Sequence, residues 1–255
     1  MCPQNFQSRE GTSDATSGAG TTSTSLLMKF AVKAQDAKAY LVASVLARLH
    51  LAIRPQDYDG LCLLARCLYY LKQDQSADQT YRRAIRVNPL LARAHAELGQ
   101  LHYYNAVRII QENSLFPGGV DLMFRNEVSA DEYDPKLLHP LHSSYADAEV
   151  ANRNVAIKEF VLAAGLESDN RLVVQRLDMA ALLLCEQGKQ GEAVKLYERI
   201  LDIDNSVATA HAHLAGCCAW LGWKGRALAE YEWLRLHAPD LAETILPHLG
   251  GIRVD

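Results

Sequence analysis

Two pairs of histidines are the residues of this chain that could carry metal-dependent chemistry. His139 and His142 stand in a His-Pro-Leu-His segment, and His211 and His213 flank one alanine. Imidazole nitrogens are common zinc ligands, so a metal-dependent enzyme that uses His139 and His142 is one hypothesis. Neither pair has cysteines or carboxylates at ligand spacing, and short motifs without such context mislead. We therefore expect structural or surface roles for these histidines, with no metal site and no catalytic residue.

The cysteines form no recognisable redox or zinc motif. No Cys-x-x-Cys arrangement occurs among them. A free cysteine often behaves as a small buried apolar residue, and no signal peptide is recognisable, so we expect a reducing, cytoplasmic compartment. The chain also contains no P-loop, no Gly-x-Ser-x-Gly and no dinucleotide fingerprint, and we expect no cofactor. The cysteines are Cys2, Cys62, Cys67, Cys185, Cys217 and Cys218.

Composition and charge narrow the classes of partner. Hydrophobic residues make up 49% of the 255 residues and charged residues 22%, which is ordinary for a soluble protein. The formal net charge of −4 argues against a nucleic-acid binder, because such proteins usually carry a basic face. Lys29 and Lys33 interrupt the most apolar stretch of the chain. We therefore expect neither nucleic-acid binding nor a membrane span.

The opening segment differs in composition from the rest. Residues 1–25 are rich in Ser, Thr and Gly and contain no lysine. Such a segment cannot bury enough apolar surface to order itself, so we expect a disordered tail. A polar, Ser/Thr-rich N-terminus is also similar to the export signal of type III secretion substrates.

A regular spacing of about 34 residues, a period typical of stacked helix–turn–helix units, organises most of the remaining chain. Pro55 and Pro89 are separated by this spacing, and so are Tyr197 and Tyr231. Stacks of such units form extended binding surfaces.

The repeated residues have helical spacing and fall into a recognisable motif. In residues 58–91 they are Leu64, Ala65, Ala77, Tyr81, Ala84 and Pro89. In residues 174–207 they are Ala180, Ala181, Gly188, Ala193, Tyr197 and Ile200, with Asn205 in place of the proline. In residues 208–241 they are Leu214, Ala215, Gly222, Ala227, Tyr231 and Pro239. This pattern resembles the tetratricopeptide-repeat (TPR) family.

The resemblance implies an all-α fold, a right-handed α-solenoid of about five helix–turn–helix units with an insertion inside the third. The expected units are about 26–57, 58–91, 92–170, 174–207 and 208–241, with a capping segment at 242–255. The interval from Ala77 to Ala156 exceeds one repeat period by about 45 residues, so the third unit carries an insert of about that length at about 106–150.

The insert contains its own structural signals. The first helix of the third unit is expected to continue past Tyr104, and Ser144 with Asp147 resembles a capping box that starts a helix through Leu162. The apolar residues between them should pack on the solenoid or on a partner. We expect the insert's contact surface to include Phe116, Met123, Phe124 and Tyr133.

TPR proteins bind peptides or helices on a concave face that their first helices line, and the resemblance transfers those lining positions to this chain. In the second unit they include Asp59, Leu63, Arg66, Tyr69 and Tyr70. In the third they include Arg93, Glu97, Gln100, Tyr103 and Tyr104. In the fourth and fifth they include Asp178, Met179, Leu182, Glu186, His213 and Trp220.

These residues favour an apolar or aromatic ligand. Family members that grip a C-terminal carboxylate use several basic residues, whereas only Arg66 and Arg93 are basic at the matching positions. Aromatic residues anchor interfaces well. We expect Tyr69 and Tyr103 to face the groove, while Tyr70 and Tyr104 either face it or pack between helices.

The sequence therefore predicts a scaffold or adaptor. It would bind a peptide or helix of a partner protein in an aromatic-lined groove, as a subunit or assembly factor of a larger complex. A secretion-associated chaperone or exported TPR protein is the alternative among binding modules. The metal-dependent enzyme is the alternative of another class.

Overall fold

A computed structural model describes residues 17–113 and 140–249, and these ranges contain helices and short turns but no β-strand. The prediction of an all-α protein is confirmed. The described helices are α1 (Ser17–Asp36), α2 (Tyr40–Ile53), α3 (Tyr58–Tyr70), α4 (Asp74–Val87), α5 (Ala92–Asn113), α6 (Pro140–Leu166), α7 (Asn170–Glu186), α8 (Gln190–Ile203), α9 (Ala208–Trp220), α10 (Lys224–His237) and α11 (Pro239–Ile245), followed by a 3-10 turn at Leu246–Leu249.

One turn geometry recurs between paired helices. Lys38, Lys72, Gly188 and Gly222 have positive φ angles of 58°, 61°, 72° and 76°. The first two and the last two are each separated by one repeat period. A residue in the left-handed region ends a helix and reverses the chain, so the period in the sequence is also a period of backbone geometry. The corresponding residue of the third pair, Ala106, lies inside α5, and that helix runs on to Asn113 as predicted.

The chain divides into two compact units, residues 1–80 and 81–255. In the first unit α2 packs against both α1 and α3. Ala31, Ala43 and Ala47 are fully buried there, and such small side chains allow helices to approach closely. Asp57 caps α3 by accepting a hydrogen bond from the Gly60 amide at 2.7 Å.

In the second unit each helix packs against the next along the chain from α5 to α11. Leu177, Tyr197 and Leu214 are fully buried in its main core. A smaller cluster of Ala156 and Phe160 lies where α5, α6 and α7 meet. The core is thus distributed along the helix series, as the repeat pattern requires.

Two helix starts differ from the sequence prediction. Helix α1 begins at Ser17, so residues 17–25, assigned to the disordered tail, are helical. Once packing of the apolar end has nucleated a helix, each added residue costs little, even with Ser and Thr. Helix α6 begins at Pro140 and not at Ser144. Proline suits the first helical position, where its missing amide hydrogen is not needed.

Candidate functional site

In the first unit, α3 carries five residues that were predicted to line a groove. Asp59 and Tyr70 are exposed, while Arg66 and Tyr69 are partly exposed. Leu63 is only 3% exposed and belongs to the core. This corrects the expectation for Leu63, because a side chain so deeply buried cannot contact a partner.

The tyrosines of α3 form an aromatic group with a neighbour from α2. The Tyr40 and Tyr70 rings stack with centroids 4.3 Å apart, and the Tyr69 ring lies 5.3 Å from that of Tyr70. Tyr70 nevertheless remains 49% exposed. The stacking therefore holds an exposed ring in a fixed orientation.

In the second unit, α5 presents a similar arrangement. The Arg93 guanidinium donates to the Glu97 carboxylate at 3.0 Å, and Gln100 is exposed. The rings of Tyr103 and Tyr104 lie 5.4 Å apart, with Tyr104 at 43% exposure and Tyr103 partly buried. Burial, and after it the Glu186 carboxylate, raises the pKa of the Tyr103 hydroxyl.

One predicted residue of α7, Asp178, lies close to one of α9, His213. The Asp178 carboxylate lies 3.5 Å from Nδ1 of His213. Met179 and Leu182 are partly buried. Trp220, at the end of α9, is 69% exposed.

Arg153 contacts one of the predicted site residues, Glu186, but was not itself predicted from the sequence. It lies on α6, is 8% exposed, and donates to Glu149 at 2.7 Å and to Glu186 at 2.9 Å. The predicted site residue Glu186 is therefore already ion-paired. Arg153 joins α6 to α7 where Tyr103 of α5 also packs.

Exposed aromatic rings recur at one repeat position of the first helices, namely Tyr70, Tyr104 and Trp220. Tyr70 and Tyr104 are separated by one repeat period. Tyr70 and Trp220 each lie two positions before a left-handed residue, whereas the residue two positions after Tyr104 is helical. We expected Tyr69 and Tyr103 to be the outward pair. In the structure Tyr69 and Tyr103 are partly exposed, and Tyr70 and Tyr104 are more exposed than they are.

The histidines do not assemble as metal ligands in the described part of the chain. His211 and His213 diverge: His211 is buried and contacts Glu230 at 2.6 Å, whereas His213 contacts Asp178. No group of three His, Cys, Asp or Glu side chains is placed to hold a metal within those residues. The side chains of His139 and His142 lie outside the described residues.

A buried histidine–glutamate contact recurs in two helix pairs. Nδ1 of His95 lies 2.6 Å from Glu159, and Nδ1 of His211 lies 2.6 Å from Glu230. The first contact spans 64 residues and the second 19. The difference between these two separations equals the length expected for the insert.

The predicted contact residues of the insert, Phe116, Met123, Phe124 and Tyr133, lie outside the described residues. Among the helices that are described, none is long and apolar enough to cross a membrane.

Comparison with known proteins identifies the fold but no close relative. No family model and no curated protein matches the sequence. Among solved structures, MamA matches with a TM-score of 0.57 at 13% identity, covering 88% of this chain and 96% of MamA. YrrB, described as a TPR protein with an unusual peptide-binding site, matches with a TM-score of 0.55 at 13% identity, covering 89% of this chain and 96% of YrrB. PilF of Pseudomonas aeruginosa matches with a TM-score of 0.52 at 14% identity, covering 92% of this chain and 80% of PilF.

The repeated residues, the repeated turn geometry and these structural neighbours agree, and the chain has the helical-repeat fold of the tetratricopeptide-repeat proteins.

Proposed function

We propose that this chain is a protein-binding scaffold or adaptor whose first helices receive an apolar or aromatic segment of a partner protein. The observation that carries the proposal is the exposure of aromatic rings at one repeat position of the first helices. Within the second unit these are Tyr104 on α5 and Trp220 on α9. Large exposed aromatic side chains are the residues that most often anchor protein interfaces.

The charged residues nearby support the same kind of ligand. Asp178 contacts His213, Glu186 contacts Arg153, and Arg93 contacts Glu97. Glu186 and Arg93 are therefore already paired within the chain, and recruiting either of them to a ligand would first break that pair. The exposed rings need no such exchange, so an apolar or aromatic segment suits this surface better than a terminal carboxylate.

The test is selection of peptides against the full-length protein, followed by affinity measurement on variants. Peptides would be selected from a displayed random library, synthesised with a fluorophore, and titrated by fluorescence anisotropy. Trp220→Ala should weaken binding at least about tenfold, since loss of a central aromatic anchor commonly costs more than about 1.4 kcal/mol. Tyr104→Ala should weaken it in the same direction.

Leu236→Ala is the matched control. Leu236 is 75% exposed on α10, a second helix, so its removal takes away exposed apolar surface without touching the first helices. Its affinity should remain within about twofold of the unmodified protein, as expected for residues away from an anchor. If Trp220→Ala, Leu236→Ala and the unmodified protein bind the selected peptides with equal affinity, the proposed binding surface is wrong.

A further inference from the structure

Two cysteines that lie 32 residues apart in the sequence meet between α7 and α9. The Sγ atoms of Cys185 and Cys217 are 3.3 Å apart. Both residues are free thiols in the structure. A disulfide bond is about 2.05 Å long, so the sulfurs need to approach by only about 1.3 Å to form one.

The two thiols differ in exposure. Cys185 is partly exposed, whereas Cys217 is 5% exposed. An external reagent therefore reaches Cys185 first, and Cys217 is held directly behind it. An accessible cysteine with a second, resolving cysteine beside it is the usual arrangement of redox-sensitive thiols.

The surroundings favour the thiolate at Cys185. The contact with Cys217 is the main cause that lowers the pKa of Cys185; Tyr197 and His213 act with it, whereas burial and the Glu186 carboxylate oppose it. The same contact, followed by burial, raises the pKa of Cys217. The Tyr197 hydroxyl is buried and has no conventional hydrogen-bond partner in the described chain, which leaves it available to this sulfur.

The two helices also approach each other at a second point near the sulfurs. His213, one turn before Cys217 on α9, contacts Asp178, which lies two turns before Cys185 on α7. The two helices therefore approach each other at this point as well as at the sulfurs. Cys67 provides a contrast, since burial raises its pKa to about 11.

We propose that Cys185 and Cys217 are a reversible modification site at which a low-molecular-weight disulfide, such as glutathione disulfide, oxidises the pair to an internal disulfide joining α7 to α9. The proposal does not rest on the proposed binding surface, although the predicted groove residues Asp178, Glu186 and His213 lie near the two cysteines.

The electron balance is that of thiol–disulfide exchange. The Cys185 thiolate attacks one sulfur of glutathione disulfide, the S–S bond of that molecule breaks, and one glutathione leaves and takes up a proton. Cys217 then loses its proton and attacks the Cys185 sulfur, which releases the second glutathione. The protein gives up two electrons and two protons, and glutathione disulfide accepts both.

The test uses the full-length reduced protein. It would be incubated without oxygen in graded mixtures of reduced and oxidised glutathione, quenched by acid and alkylation, and mapped by mass spectrometry. We expect a linked Cys185–Cys217 peptide that appears without denaturant and disappears when excess reduced glutathione is restored. This measurement on the unmodified chain does not depend on whether any variant folds.

Three variants separate the roles of the sulfurs. Cys217→Ser should accumulate glutathione on Cys185, because the resolving thiol is absent. Cys185→Ser should leave Cys217 unmodified. Cys218→Ser, which removes a buried neighbour on the same helix, should still form the link. The proposal is wrong if the linked peptide forms only in denaturant, if it joins other cysteines instead, or if Cys217→Ser carries no glutathione at Cys185.

Discussion

At the scale of single residues, the buried histidines His95 and His211 are part of the helix packing. Nε2 of His95 contacts the Pro89 carbonyl at 3.2 Å, and Nε2 of His211 contacts the Asn205 carbonyl at 3.1 Å. A carbonyl oxygen only accepts hydrogen bonds, so each Nε2 carries a hydrogen and donates it. Each Nδ1 then lies 2.6 Å from a glutamate carboxyl oxygen. Each histidine thereby ties its own helix both to the preceding turn and to the following helix.

Removal of Glu159 should therefore be costly. Its side chain is 8% exposed, and Glu159→Ala would leave the buried His95 without its partner. Breaking a buried pair in this way commonly costs about 3–5 kcal/mol of the free energy of unfolding. Glu159→Gln should cost less, because the amide can donate to Nδ1 of a neutral imidazole.

The control for this prediction is Glu232→Ala. Glu232 forms an exposed pair with Arg235 at 2.8 Å, and exposed pairs contribute only about 0–1 kcal/mol. Urea unfolding followed by circular dichroism would give the three free energies. Equal losses for Glu159→Ala and Glu232→Ala would show that the buried contact contributes no more than a surface one.

At the scale of helices, the approach of α5 to α6 depends on a residue without a side chain. A Cβ atom on Gly99 would lie 3.0 Å and 3.1 Å from two carbons of the Phe160 ring. Phe160 is 5% exposed and is packed by Tyr103 and Met179, so its ring has little room to move. Gly99 therefore sets how closely the two helices approach.

Gly99→Ala should destabilise the protein even though alanine favours a helix. Overpacking a tight contact commonly costs about 1–3 kcal/mol of the free energy of unfolding. Alanine gains about 1 kcal/mol over glycine in helix propensity, so the upper part of the overpacking range outweighs this gain. Gly216→Ala in α9 is the matched control, because nothing lies within 4 Å of its added Cβ. It should stabilise by about 0.5–1 kcal/mol. Thermal unfolding would measure the stability of both variants. A Gly99→Ala protein as stable as Gly216→Ala would contradict the close contact between Gly99 and Phe160.

Helix pairing could be predicted from the sequence because it depends on small residues at fixed intervals. Ala193 and Ala227 are both fully buried, as a close helix contact at each repeat requires. Helix starts were less predictable, since Ser17 and Pro140 depend on weak local preferences and on packing further along the helix.

The exposed face and the thiol pair were beyond the reach of the repeat pattern. Neighbouring positions such as Tyr103 and Tyr104 both fall on the lining side, and only packing against other helices decides which ring is exposed. The separation of Cys185 and Cys217 is two positions short of a full period, so they occupy different repeat positions. Comparing residues at the same position of each repeat does not pair Cys185 with Cys217. Their contact follows only from how α7 and α9 lie together.

At the scale of the whole molecule, the insert is the feature that separates this chain from a regular repeat array. Helices α5 and α6 pack along each other on either side of residues 114–139. Because these helices already bury Gly99, Ala156 and Phe160 between them, the contact does not require residues 114–139 to bring it about. Fold and insert can therefore be separated by experiment.

Residues 114–139 would be replaced by a flexible Gly/Ser linker of about ten residues, which spans about 16–19 Å and so easily joins neighbouring helices. The free energy of unfolding should change by only about 1 kcal/mol, the difference in loop-closure entropy between the two lengths. Circular dichroism and thermal unfolding would measure this, with a scrambled-sequence insert of equal length as the control. Loss of cooperative unfolding in both variants would show that the native insert is part of the core.

If both variants fold, peptides selected against the unmodified protein test the predicted contact surface of the insert. Weaker peptide binding by both variants supports Phe116, Met123, Phe124 and Tyr133 as contacts. Unchanged binding places recognition on the first helices alone.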